Sequence, residues 1–72
     1  MKTPKRAFLG ARIRAAREAS EMTQADLGRA CGVAANTIAR IERGEQEPAS
    51  LLLAAIARAM SVSADHLLGL DT

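Results

Sequence analysis

Tryptophan and tyrosine are absent from this 72-residue chain, phenylalanine occurs once, and only two prolines interrupt it. The apolar share of 49% is built chiefly from Ala, Leu and Ile, the composition of a small all-helical protein. A single cysteine, Cys31, rules out an internal disulfide. With one histidine, His66, it supplies neither a metal-ligand set nor a catalytic dyad of the usual spacing. Cys31 has no basic or histidine neighbour in sequence and lies on an apolar stripe, so it reads as a small buried hydrophobe, not a nucleophile. No metal, no cofactor and no enzymatic activity are expected. Neither a signal-peptide pattern nor an apolar run of about 18 residues is present. The expectation is a soluble protein of the reducing cytoplasm, with no membrane partner.

What the chain does contain is charge, unevenly placed. Formal net charge is only +2. Residues 1 to 17, however, carry Lys2, Lys5, Arg6, Arg12, Arg14 and Arg17 with no acid, whereas residues 45 to 72 set Arg58 against Glu45, Glu47, Asp65 and Asp71. One end of the molecule is basic, as a polyanion partner requires. Seventy-two residues make one domain at most. Such a chain buries only about 60% of its unfolded surface and must commit nearly every apolar residue to one core.

Five helices account for the pattern. Residues 1 to 5 read as a flexible basic arm, Pro4 disfavouring helix before it. A first helix runs from Arg6 or Ala7 to about Ser20, with Leu9, Ile13 and Ala16 at helical spacing. Thr23 caps a second helix, Asp26 completes a short capping box, and Leu27, Ala30 and Cys31 face inward before Gly32 ends it. A third helix is expected from Val33 to about Arg43, followed by Gly44. A fourth spans residues 50 to 60 with Leu53, Ile56, Ala57 and Met60 inward, and a last short one follows the Ser63 cap and carries Leu67 and Leu68. Residues 6 to 70 thus form a single all-α domain of five helices.

The third helix divides into two faces. Ile38 and Ile41 define one, while Asn36, Arg40 and Arg43 fall within about 60° of each other on the opposite one. Arg can bridge guanine O6 and N7, and Asn can bridge adenine N6 and N7, so this face has the chemistry to read base edges in a major groove. Ala35 and Ala39 beside it are small enough to let the helix sit close, and Ala35 can meet a thymine methyl.

On these residues, and from about Arg6 to Leu70, the chain resembles the Cro/C1-type (XRE-like) helix-turn-helix repressor family. The likeness is carried by TQADLGRACGVAANTIARIERGEQEP, by Ile13-Arg14 followed by Arg17, and by Pro48, Val62-Ser63 and Leu67-Leu68. It implies a compact five-helix, lambda-repressor-like domain whose helices 2 and 3 form the helix-turn-helix. It also implies roles: Ala35, Asn36, Thr37 and Arg40 toward bases, and Thr23, Gln24, Arg43 and Arg17 toward phosphates. Arg17 and Glu42 resemble the family's ion pair tying the first helix to the third.

Three departures from the family pattern have physical consequences. Glu21 and Ser61 stand where relatives usually have a helix-ending Gly, so both turns are expected to be strained or differently closed. Ala34 replaces the usual Ser or Thr cap of the third helix. The loop Glu45-Gln46-Glu47 is acidic near where relatives touch phosphate, so affinity is expected to lean on the basic first helix and arm; with Ala34 uncapped and Ala35 where a longer reader could sit, specificity is expected to rest on Arg40. Leu51 and Leu52 exceed the needs of the inward stripe, and with Ala64, His66 and Leu70 they are candidates for a twofold dimer patch; the bland alternative is that Leu52 thickens the core. The resulting expectation is a cytoplasmic, nucleoid-associated regulator, bacterial or phage-encoded, that binds a palindromic double-stranded DNA operator as a homodimer and represses transcription. The alternative is an interaction module, such as an antitoxin or a regulator's protein partner, built on the same fold.

Overall fold

A computed structural model describes residues 6–70, and the expected arm at residues 1 to 5 lies outside them. The elements are α1 (Arg6–Ala19), α2 (Gln24–Cys31), α3 (Ala35–Glu42), α4 (Ser50–Ala59) and α5 (Ala64–Leu68), with no strand among the described residues. Helix α1 packs on α3 and α5, while α2 packs on α3 and α4, and α4 also meets α5. Leu9 and Ile13 from α1, Leu27 from α2, Ile38 and Ile41 from α3, Ile56, Ala57 and Met60 from α4, and Leu67 from α5 form one buried cluster. Every helix gives at least one side chain to that cluster, and none of those short helices is stable alone in water.

Helix starts follow the capping chemistry. The Thr23 hydroxyl accepts the Asp26 backbone N–H at 2.9 Å, and Asp26 Oδ2 accepts the Thr23 N–H at 3.0 Å, a complete capping box. Ser63 accepts the His66 N–H at 2.9 Å in the same way at α5. Ala34 before α3 and Ala49 before α4 offer no side-chain acceptor.

Helix ends share one device. After each of the five helices, paired backbone bonds close the last turn in a Schellman arrangement, such as Gly44 N to Ile41 O at 3.0 Å with Glu45 N to Arg40 O at 2.9 Å. The residue at the bend is left-handed each time: Gly32, Gly44 and Gly69, but also Glu21 and Ser61, both at φ 57°. The two turns lacking glycine therefore close normally and carry the strain of a side chain in that region.

Three local expectations change. Helix α3 begins at Ala35, not Val33, because Val33 is taken up by the turn, its N–H donating to the Gly28 carbonyl at 2.8 Å. Ala30 is exposed; the inward positions of α2 are Leu27, Gly28 and the half-buried Cys31. A Cβ on Gly28 would stand 2.7 Å from the Val33 carbonyl, so the tight corner between α2 and α3 requires glycine there. Ala39, placed by the sequence beside the donor face, is buried with Ile38 and Ile41.

Candidate nucleic-acid interface

The site begins with how α3 is held. Arg17 donates through Nε to Glu42 Oε2 at 2.6 Å and through NH2 to Oε1 at 3.1 Å, while its NH1 donates to the Met22 carbonyl at 2.8 Å. Gln24 Nε2 adds a bond to Glu42 Oε1 at 3.0 Å. Both charged side chains are buried, Arg17 at 11% exposure and Glu42 at 3%, and the bidentate fork fixes distance and angle together. The bond to Glu42 raises the Arg17 pKa above its ordinary value despite the opposing effect of burial. The expected ion pair between α1 and α3 is therefore present, and Gln24 joins it from the first residue of α2.

All three Arg17 guanidinium nitrogens donate inside the protein, so any phosphate contact by Arg17 would have to use the remaining NH1 and NH2 protons. The other arginines of α1 are engaged as well. Arg14 pairs with Glu18 at 3.3 Å, Arg6 lies 3.8 Å from Glu47, and Arg12 stacks 5.4 Å over Phe8 while donating to the His66 carbonyl at 2.7 Å. The basic first helix is thus largely neutralised in place, and the arm's Lys2 and Lys5 lie outside the described residues.

The outer face of α3 remains open. Asn36 and Arg40 are exposed, Ala35 and Thr37 are half-buried beside them, and the Arg40 side chain has no hydrogen bond or ion pair among the described residues. Arg43 is exposed just past the helix and donates through Nε and NH2 to the two Glu45 oxygens at 2.7 and 3.1 Å. The bond from Arg43 holds the Glu45 carboxyl below its usual range and raises the guanidinium in turn. At the start of α2, the Thr23 hydroxyl accepts the Asp26 N–H and helps lower the Asp26 pKa, while the Gln24 amide keeps one N–H after bonding Glu42. Arg29, close by, pairs with Asp26 at 2.7 Å.

Sequence reasoning missed the forked Arg43–Glu45 pair, although a left-handed Gly44 between them was the signal that could have exposed it. The expected dimer residues divide. Leu51 is 87% exposed at the start of α4, Leu70 is about half exposed, and His66 is exposed, whereas Leu52 and Ala64 pack partly against the core. Burial raises the Cys31 thiol pKa, consistent with a packing role.

A helix-turn-helix family model matches residues 13–67. The chain is 42% identical over 61 residues to repressor protein C2 of Salmonella phage P22, an alignment covering 85% of this chain and 28% of that protein. It therefore spans little more than a quarter of the length of that curated relative. Among solved structures, it superposes with TM-score 0.83 on the P22 c2 repressor in complex with a synthetic operator, at 41% identity, covering 89% of this chain and 97% of that one. The clp gene regulator ClgR of Corynebacterium glutamicum superposes with TM-score 0.85 at 33% identity, covering 88% of this chain and 67% of that one.

Proposed function

The chain belongs to the XRE-type helix-turn-helix family, and on that premise we propose that it is a sequence-specific double-stranded DNA-binding regulator of transcription. It acts as a repressor on a palindromic operator, as a homodimer, and without enzymatic activity. The observation that carries this reading is the contrast on α3: Ile38, Ala39 and Ile41 lock one face into the core while Asn36 and Arg40 stand open on the other. Arg40 and Asn36 read base edges, with Thr37 and Ala35 against the groove wall. Thr23, Gln24 and Arg43 position the helix on phosphates, and Arg17 acts from beneath through Glu42. Similarity to a repressor whose solved structure holds an operator supports the DNA partner. No described helix is long and apolar enough to cross a membrane, and the proposed location is the nucleoid.

Selection of bound duplexes from a random pool tests this directly. A twofold-symmetric motif with half-sites about one helical turn apart is expected, and failure to enrich any duplex overturns the reading. If a dimer neutralises about six phosphates, log K falls against log salt with a slope near −5.

The exposure of Leu51 favours a second reading, an interaction module that works through protein contacts as an antitoxin or a regulator's partner does. Gel filtration with and without duplex separates the two: self-association without duplex preference favours the module.

A further inference from the structure

The turn after α3 carries a feature that base reading and phosphate positioning leave unused. Glu45 is fixed there by its backbone, its N–H donating to the Arg40 carbonyl at 2.9 Å, with Gly44 left-handed at φ 77° between it and Arg43. From that anchor its carboxylate reaches back to Arg43 and takes Nε and NH2 together. Both side chains are 53% exposed, so the pair lies on the surface and is not part of the core. Arg40 adds a weaker electrostatic pull that also helps hold the carboxyl below its usual range.

We propose that Glu45 is a specificity-determining residue, setting the preference for operator over random DNA by neutralising Arg43 at long range while leaving that guanidinium an outward edge of donors. This rests on the DNA-binding reading above. Non-specific binding draws essentially all its free energy from cations neutralising phosphates, and it senses net charge rather than geometry. To such a duplex the Arg43–Glu45 pair counts as nearly zero. The fork occupies Nε and one proton of NH2, which leaves both NH1 protons and the second NH2 proton facing away from Glu45. A phosphate arriving at one defined place can take that edge, and the guanidinium is already ordered for it. Only a duplex on which α3 is seated by Asn36 and Arg40 holds a phosphate at that place. The carboxylate therefore weakens loose complexes and leaves the seated one nearly untouched, acting through Arg43 and touching no base.

Glu45→Gln removes the charge and keeps the size. The measurement compares two probes, the duplex recovered by selection and a random duplex of equal length, across a salt series. For the random duplex, affinity is expected to rise about fivefold per bound protomer near 0.15 M salt, with the salt slope steeper by about one per protomer. The selected duplex is expected to change less than about twofold. In an Arg43→Ala background the same substitution relieves an unpaired carboxylate but frees no guanidinium to neutralise a phosphate, so the added steepness of the salt slope is expected to disappear. Equal gains on both duplexes, no gain on the random one, or a steepening of the salt slope that survives Arg43→Ala each overturns the proposal, and an unchanged melting temperature verifies that folding is intact. Failure of the protein to enrich any duplex is a different result: it overturns the DNA reading itself and the role of Glu45 with it.

Discussion

Gly10 lies flush against the backbone of Glu42: a Cβ added at Gly10 would stand 2.5 Å from the Glu42 carbonyl oxygen and 2.9 Å from its carbon. Helix α1 therefore holds the C-terminal end of α3 twice, by backbone contact at Gly10 and by the Arg17 fork on the same residue's side chain. Neither neighbour is a flexible side chain that can move aside. Gly10→Ala is expected to lower stability by about 2 kcal/mol despite alanine's better helix propensity, measured by urea denaturation. A neutral or stabilising result would mean that α1 and α3 are not in this register.

Glu42 serves three donors in a buried setting, and removing it strands Arg17. Glu42→Ala is expected to cost about 3 kcal/mol, because an unpaired buried guanidinium is worse than either partner exposed. For a chain of this size that corresponds to a melting point lower by more than about 10 °C in a thermal scan. Replacing both Arg17 and Glu42 by apolar residues is expected to recover much of the loss.

Glu21 and Ser61 sit at φ 57° in turns that glycine closes elsewhere in the same chain. Glu21→Gly and Ser61→Gly are each expected to raise stability by roughly 0.5 to 1 kcal/mol, the left-handed penalty less glycine's greater unfolded-state entropy. Parallel denaturation curves with shifted midpoints verify this.

Arg40 and Gln24 are expected to fail differently. Arg40→Ala relaxes preference at one base position of each half-site, with a loss of roughly 1 to 3 kcal/mol in discrimination. Gln24→Ala weakens binding to all duplexes evenly and also loosens Glu42, so its melting point falls as well. Repeating duplex selection with both variants tests the division of labour; identical motif changes would refute it.

Asp26 has its pKa lowered first by the backbone N–H of Thr23, then by the Thr23 hydroxyl, with Arg29 adding to both. A lowered folded-state value means the contribution is present above the unfolded value, about 3.9, and is lost as pH falls through the native one. Asp26→Asn is therefore expected to flatten the acid limb of stability below about pH 4 while leaving the neutral plateau only slightly lower. Thermal melts across pH measure both.

Much of this was legible because local chemistry is written locally. Thr23, Asp26 and Gly32 mark the ends of α2 by cap and bend, and Ile38 with Ile41 marks the buried side of α3 by spacing. The Arg17–Glu42 pair spans 25 positions and was readable only through family resemblance. Ala39 was placed on the wrong side because alanine is silent about burial, and its neighbours alone settle where it lies. Gly10 and Gly28 were equally opaque, since each is required by an approach between helices that no spacing within one helix reports. The arginines of α1 read as a basic surface in sequence; folding gave four of them partners, at Glu47, Phe8, Glu18 and Glu42.

Ala34 gives α3 no side-chain acceptor, while Thr23 and Ser63 give α2 and α5 theirs. The Ala35 and Asn36 amide hydrogens are therefore expected to exchange with water ahead of those of Ile38 and Ile41. That uncapped turn is also the one that carries Ala35, Asn36 and Thr37. A partner that supplies acceptors there is expected to complete the helix as it docks, with an ordering entropy confined to one turn and the proposed readers made rigid on contact.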